Sequence, residues 1–262
     1  MQSSAMNPGS DDLAPHTLPT LGVVLVGAGR GERLGGGVPK AFVELHGRPL
    51  IEFGIGVVTS LPHAGHLVLV VPESHAAQAL ELVDLVLPER SRWEVSVVAG
   101  GRERHESVRF GLDALPSSIE TVLVHDAARP FASAELFERV IDGVRRDGTG
   151  VVPALRVSDT LKRVDAEGNV HETVDRAGLV SVQTPQGFPR ELLEAAYSGA
   201  ELQLGETASS LPTDDAEVVQ RAGGQVRTVS GELRAHKLTT PDDFPVLEHF
   251  LAANAAGLES EQ

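Results

Sequence analysis

The sequence predicts an α/β fold in which a mostly parallel sheet is covered by helices on both faces, with a β-hairpin arm projecting from it. Three observations carry this expectation. Short, continuous β-branched runs recur along the chain, the pattern of strands buried on both faces. Segments with helical spacing of apolar residues lie between them, and strand–helix alternation builds parallel sheets. Over residues 156–182 the pattern breaks, and two short strands flank a turn.

The first strand is expected at Gly22–Val26, ending abruptly in Gly27-Ala28-Gly29. Strands at Leu67–Val71, Val95–Val98, Thr121–Val124 and Val151–Val152 then alternate with helices at Leu50–Ser60, Ser74–Val86, Arg104–Ala114 and Ser133–Arg145. Thr160–Val164 and Val170–Val174 enclose Asp165-Ala166-Glu167-Gly168-Asn169, a glycine-containing turn that reads as a hairpin. Helices at Glu191–Tyr197, Asp214–Ala222 and Pro241–Ala253 and a strand at Gln225–Val229 complete the pattern. Residues 1–20 are polar, acidic and rich in Pro and Ser, the composition of a disordered tail. Residues 254–262 read as a short frayed tail. The expected organisation is one domain over 21–253, carrying an arm at about 156–182, with no internal repeat.

A net charge of −15 argues against nucleic acid as a partner bound through a basic surface. A polyanion must instead be met by local positive charge, and Arg30, Arg33 and Lys40 cluster in one glycine-rich stretch. The absence of cysteine excludes a disulfide framework and a thiolate zinc site. No run of about 18 apolar residues and no basic, then apolar, leader is present. The expectation is a soluble, cytoplasmic protein with no membrane partner.

In parallel sheets ligands bind beyond the carboxyl ends of the strands, and the two richest motifs fall there. The first runs from Gly27 to Lys40. Its glycines let the backbone turn sharply and bring N–H groups close to phosphate oxygens, while Arg33 and Lys40 can neutralise a triphosphate. Lys40 is neither preceded by Gly nor followed by Ser or Thr, so this is not a Walker A motif; the third glycine of a dinucleotide fingerprint is also missing. The bland alternative is a surface loop with incidental charges. The second motif is Val122-Leu123-Val124-His125-Asp126-Ala127-Ala128-Arg129-Pro130. An acid at the end of a buried strand suits Mg²⁺ or its waters, since that cation prefers oxygen ligands. Arg129 either orients Asp126 or meets a substrate phosphate, and a purely structural ion pair is the alternative. His125 reads as a packed histidine at the edge of the core.

Further blocks occur in order: Pro39-Lys40-Ala41-Phe42, Gly100-Gly101-Arg102-Glu103-Arg104 with Ser107-Val108, and Asp159-Thr160-Leu161-Lys162. Gln183-Thr184-Pro185-Gln186-Gly187-Phe188, Thr213-Asp214-Asp215-Ala216 and Lys237-Leu238-Thr239-Thr240-Pro241 follow. With the two motifs above, the ordered set resembles the 2-C-methyl-D-erythritol 4-phosphate cytidylyltransferase family over about Leu21 to Phe250. The resemblance implies a Rossmann-like three-layer nucleotidyltransferase fold with a mostly parallel twisted sheet and a projecting β-hairpin arm. It implies transfer of CMP from CTP to the phosphate of methylerythritol phosphate, with release of pyrophosphate.

The same resemblance assigns roles. Arg33 and Lys40 would stabilise charge at the α-phosphorus, and Mg²⁺, supported by Asp126, would neutralise the departing pyrophosphate. Cytosine recognition maps to the backbone around Ala28 and Gly29, plus Gly101 and Ser107, and Gly31 joins them in binding the nucleotide; a capping or packing hydroxyl is the alternative for Ser107. The acceptor would meet Thr160, Arg176 and Lys237, with Asp126, Arg129 and Thr184 close by. The hairpin resembles the arm through which family members form homodimers, so Arg176 would complete the partner's site; an exposed hairpin arginine is the alternative. Thr213-Asp214-Asp215-Ala216 reads as a helix N-terminus. Gly27, Ala41, Arg102 and Ala235-His236 depart from the common family pattern and bear on the finer substrate contacts. A cytidylyltransferase for another polyol phosphate such as ribitol 5-phosphate shares these features, and a noncatalytic nucleotide-binding module shares the loop.

Overall fold

The structure, a computed structural model, describes residues 19–29, 31, 34–35, 37–200 and 211–255. Arg30, Arg33, most of the N-terminal tail and the C-terminal residues from 256 lie outside the described residues.

The chain begins with β1 (Leu21–Val26), followed by the short ribbon β2 (Glu44–Leu45) and β3 (Arg48–Pro49) and helix α1 (Leu50–Ser60). Next come β4 (Gly65–Val71), α2 (Ala76–Val86), β5 (Trp93–Ala99), α3 (Arg104–Asp113), β6 (Thr121–Asp126), α4 (Ala134–Asp147) and β7 (Gly150–Arg156). The hairpin is β8 (Leu161–Val164) and β9 (Val170–Val174). The chain returns through β10 (Val180–Val182) and β11 (Gln186–Pro189), then α5 (Arg190–Ala200), α6 (Asp215–Arg221), β12 (Val226–Ser230) and α7 (Phe244–Ala255).

β1 lies between β4 and β6 and runs parallel to both, and β5 extends the sheet beyond β4. Its residues divide the core between two faces, as a period of two requires. Leu21, Val23 and Leu25 pack with Ile51, Ile55 and Phe137 on the α1, α2 and α4 side. Val24 packs with Val108 and Leu112 of α3, alongside Leu193 and Val219 of α5 and α6. This three-layer arrangement explains why the strands read as uninterrupted apolar runs. A third cluster, Leu45, Leu50, Phe131, Leu238 and Leu247, seats α7 and the segment after Lys237 against the rest.

The expected helices and strands form within a few residues of their predicted ends, but four strands were not foreseen. β2 and β3 pair with each other, and β11 stands antiparallel between β6 and β7 in the main sheet. β10, at the end of the span read as arm, also pairs with β7. Val182 opposes Ala154 and Gly187 opposes Val151, so β10 and β11 are two parts of one antiparallel strand. The interruption is Gln183-Thr184-Pro185, with a cis bond before Pro185. The arm proper is the separate two-stranded sheet β8–β9.

His125 is fully buried against Phe137, with ring centroids 5.0 Å apart, the packed histidine the sequence suggested. Its Nε2 lies 3.3 Å from the Arg129 carbonyl and its Nδ1 3.0 Å from the Thr184 hydroxyl. A carbonyl only accepts, so Nε2 carries the hydrogen and Nδ1 accepts from Thr184. Burial, opposed only in part by Asp126, pushes His125 down to about 4 from its ordinary 6.5. The unfolded chain therefore binds this proton at a higher pH than the folded one. Stability is complete above about pH 6.5 and falls as pH drops toward 4, by roughly 3 kcal/mol from this residue. Urea unfolding from pH 7 to 4.5 should show that loss in the wild type, and His125→Asn should flatten that part of the profile.

Candidate active site

The carboxyl ends of β1 and β6 open into a cleft of about 620 Å³, lined by Gly27, Ala28, Gly29, Gly31 and Lys40 of the first loop. Gly101 to Glu103, Arg104 and Ser107 form a second wall; Asp126, Ala127, Ala128 and Lys237 form the third. β1 is where the chain reverses its direction of sheet growth, adding β4 and β5 on one side and β6 on the other. Such a switch point leaves a crevice beyond the strand ends.

The first two walls touch. A Cβ at Gly100 would fall 2.2 Å from the Ala28 Cβ and 3.0 Å from the Ser107 Oγ, so only glycine lets the loops meet. Ser107 fastens that turn: its Oγ accepts from the Gly101 N–H at 3.0 Å and donates to the Glu103 carbonyl at 3.2 Å. It sits inside α3 rather than capping it, since Glu103 is the N-cap and forms a capping box with Glu106. In the glycine-rich loop Gly31 adopts φ 66°, a left-handed conformation open to glycine at little cost. The Lys40 N–H donates to the Gly29 carbonyl at 3.2 Å, which folds the loop so that Lys40 stands on the cleft.

At the floor lies Asp126, the last residue of β6 and 7% exposed. Its Oδ1 accepts from Arg104 Nε and Nη2 at 3.3 and 3.2 Å, and its Oδ2 accepts from Lys237 Nζ at 2.6 Å. Burial would raise this carboxyl, but Arg104 and Lys237 outweigh it and hold Asp126 far below the usual carboxylate range. Its backbone N–H donates to the Thr184 Oγ1 at 3.0 Å. Arg104 also reaches the fully buried Asp215, Nη2 to Oδ2 2.7 Å. Burial works against the Arg104 charge, and Asp215 and Asp126 more than restore it.

Of the residues expected at the site, Ala28, Gly29, Gly31, Lys40, Gly101, Ser107, Asp126 and Lys237 come together here. Arg33 lies outside the described residues. Thr184 is buried, and its hydroxyl is engaged by Asp126 and His125. Arg129 donates to the Ala235 carbonyl at 2.7 Å and so braces the segment that carries Lys237. Thr160 and Arg176 are exposed at the base of the arm, outside the lining of the cleft; Arg176 donates to the Ser158 carbonyl.

Four further residues shape the site without having been singled out: Arg104, Asp215, Gln183 and Gln186. The Gln183 amide donates to the Glu232 carbonyl at 2.7 Å and accepts from the Glu232 N–H at 2.9 Å, tying down the approach to Lys237. Gln186 donates to Asp214 Oδ2 at 2.9 Å and accepts from the Ala216 N–H at 3.0 Å, tying down the start of α6. One signal was present in the sequence: Asp214 and Asp215 cannot both be the N-cap of one helix, and Asp214 takes that place.

A sequence model of the IspD family, 2-C-methyl-D-erythritol 4-phosphate cytidylyltransferase, matches residues 21–253. The chain is 47% identical over 237 residues to the bifunctional enzyme IspD/IspF of Clavibacter michiganensis, spanning 90% of this chain and 56% of that longer protein. It is 41% identical over 236 residues to the 2-C-methyl-D-erythritol 4-phosphate cytidylyltransferase of Streptomyces avermitilis, spanning 87% of this chain and 90% of that one. Among solved structures, the 2-C-methyl-D-erythritol 4-phosphate cytidylyltransferase of Thermus thermophilus is similar with a TM-score of 0.68 at 33% identity, covering 88% of this chain and 98% of that one. The 4-diphosphocytidyl-2C-methyl-D-erythritol synthase of Anaerococcus prevotii is similar with a TM-score of 0.75 at 27% identity, covering 89% and 96%. Since the family match takes in the whole sheet and every wall of the cleft, the chain belongs to the 2-C-methyl-D-erythritol 4-phosphate cytidylyltransferase family.

Proposed function

We propose that the chain transfers CMP from CTP to the phosphate of 2-C-methyl-D-erythritol 4-phosphate, giving 4-diphosphocytidyl-2-C-methyl-D-erythritol and pyrophosphate in non-mevalonate isoprenoid biosynthesis. The observation that carries this reading is the meeting of Arg104 and Lys237 on one carboxylate, with Lys40 lining the same cleft of an otherwise acidic protein. Two polyanions must approach each other there, and fixed cations at the reacting phosphorus offset their repulsion.

The acceptor phosphate oxygen forms a bond to the α-phosphorus of CTP as the bond from that phosphorus to the pyrophosphate oxygen breaks. Both are oxygens of phosphate groups, so the step needs no proton transfer from the protein. The chain's task is positioning. Ala28, Gly29, Gly31, Gly101 and Ser107 hold the nucleotide against the two touching loops. Lys40, with Arg33 of the same loop, stabilises charge at the α-phosphorus. Lys237, Thr160 and Arg176 hold the acceptor phosphate, while Thr184 and Arg129 keep Asp126 and the Lys237 segment in place.

Mg²⁺ fits this site in a limited way. Among the described residues no group of three or more His, Asp or Glu side chains could cage a metal ion. Mg²⁺ is commonly held by one or two carboxylates with substrate phosphates and water, and Asp126 is the carboxylate that would serve. When bound, the ion would supply charge neutralisation on the triphosphate and its leaving group.

The arm suits a homodimer in which Arg176 reaches the partner's cleft, in keeping with its position outside its own. Among the described residues no helix is long and apolar enough to cross a membrane, and we take the enzyme to act in the cytoplasm on small molecules rather than on nucleic acid.

Pyrophosphate release from CTP, Mg²⁺ and methylerythritol phosphate tests the reading directly; faster turnover on ribitol 5-phosphate would reassign the acceptor. Lys40→Ala should lower kcat by roughly 10²-fold or more, the scale of losing one charge contact in the transition state. Arg176→Ala should raise KM for the acceptor and leave that for CTP nearly unchanged. If Arg176 serves the partner, mixing Lys40→Ala and Arg176→Ala subunits at acceptor concentrations far below the raised KM should restore roughly a quarter of wild-type activity through dimers with one intact site. No recovery would place Arg176 in its own subunit's site or outside both.

A further inference from the structure

We propose that Asp215, braced by Tyr197, is a positioning residue that works through Arg104 to set the orientation of the Asp126 carboxylate. The inference rests on the cytidylyltransferase reading of the cleft and adds to it residues that line no part of the cleft themselves.

Asp215 is the first residue of α6, yet it plays no part in capping that helix, because Asp214 Oδ1 accepts the Glu217 N–H at 2.8 Å. Its side chain turns inward and is 0% exposed. There Oδ1 accepts from the Tyr197 hydroxyl at 2.6 Å and Oδ2 accepts from Arg104 Nη2 at 2.7 Å. The Tyr197 hydroxyl is held in its protonated, donating form, since burial and the Asp215 charge both raise it. A buried carboxylate costs several kcal/mol, and replacing such an ion pair with packed apolar groups is often neutral or stabilising. Packing therefore gives no reason for an ionised pair at this point, whereas geometry does.

The guanidinium is a planar fork with five donors. One of its Nη2 hydrogens goes to Asp215, and its Nε and Nη2 edge meets Asp126 Oδ1. Anchoring at Asp215 fixes the plane of that fork, so Asp126 is met from one defined direction while Lys237 holds its other oxygen. The anchor also balances charge. Arg104 and Lys237 are positive and Asp126 and Asp215 are negative, so the four groups bonded to one another sum to zero. Without Asp215 they would carry one excess positive charge, and Arg104 would be free to swing toward the triphosphate and leave Asp126 half paired. The nucleotide-facing turn at Gly101 and Ser107 is fastened independently, so loss of the strut acts on the catalytic step more than on CTP binding.

A double-mutant cycle on kcat tests this. Asp215→Asn should lower kcat by about 10-fold or more, the range expected for misplacement of a group on the ångström scale, with KM for CTP changed by less than about three-fold. Arg104→Met should lower it at least as far. In the Arg104→Met background, Asp215→Asn should cost nothing further, because a residue that acts only through its partner is silent once the partner is gone. Additive losses, or a wild-type kcat for Asp215→Asn, would overturn the proposal. Should Asp215→Asn prove unfolded by its melting curve, Tyr197→Phe replaces it, with a smaller fall in kcat that must likewise vanish in the Arg104→Met background. The Arg104 Nε–H proton resonance provides a readout independent of turnover, expected to be protected from exchange in the wild type and lost in Asp215→Asn. If the wild type released no pyrophosphate, the functional reading would fail, and this resonance would decide the strut by itself: unchanged in Asp215→Asn, it refutes it.

Discussion

An ionised carboxylate kept almost out of water at the end of a central strand is the constraint around which this molecule is arranged. Asp126 closes β6 beside Val26 of β1, where little solvent reaches it. Such a charge is tolerated only when paired and hydrogen-bonded. Its partners come from far apart in the chain: Arg104 from the start of α3, Lys237 from the segment before α7, and Thr184 from the interruption between β10 and β11. The third core cluster seats the Lys237 segment, and the Gln183 and Gln186 amides hold two more approaches in place. Completing the fold and completing the charge balance of the cleft are thus the same event.

A net charge of −15 sets this arrangement against the field of the whole protein. At long range an acidic surface repels a nucleoside triphosphate, although salt confines that repulsion to about 10 Å. Within the cleft the balance reverses, because low-dielectric walls concentrate the field of a few cations. Pairing Lys237 with Asp126 holds that positive charge at a fixed place on the cleft wall before a phosphate arrives. Affinity for anions is consequently local and shape-dependent, which favours small phosphorylated ligands that enter the cleft over extended polyanions that would lie across the surface.

Much of this was legible in the sequence. Uninterrupted runs such as Gly22–Val26 and Leu67–Val71 announced strands buried on both faces, and the glycine loop and Asp126 were placed at the correct edge of the sheet. β11 escaped notice because Gln186-Gly187-Phe188-Pro189 has no β-branched residue and no alternation; its place between β6 and β7 is set by tertiary pairing. Gly187 is required there by the close approach of Val140 and Val144 of α4, which no local pattern reveals. Arg104 and Asp215 are 111 positions apart, and nothing in either neighbourhood signals that the two charges meet. Motif chemistry marked the glycine loop, Asp126 and Lys237, whereas the Arg104–Asp215 contact went unmarked, because it is made by packing between distant segments.

The arm leaves the main sheet after Arg156 and rejoins it at Val180, and those two residues are directly paired across β7 and β10. Antiparallel partners stand only about 5 Å apart at their Cα atoms, so the excursion starts and finishes at nearly one point. It is an insertion on a closed stem, and its length and amino-acid content can drift without shifting the register of any strand that bears the cleft. Changes of length within the hairpin are thereby uncoupled from the strand ends that carry the cleft. Joining the stem at Arg156 and Val180 with a tight turn would remove the hairpin, with Thr160 and Arg176 on it, and leave every strand that bears the cleft in register.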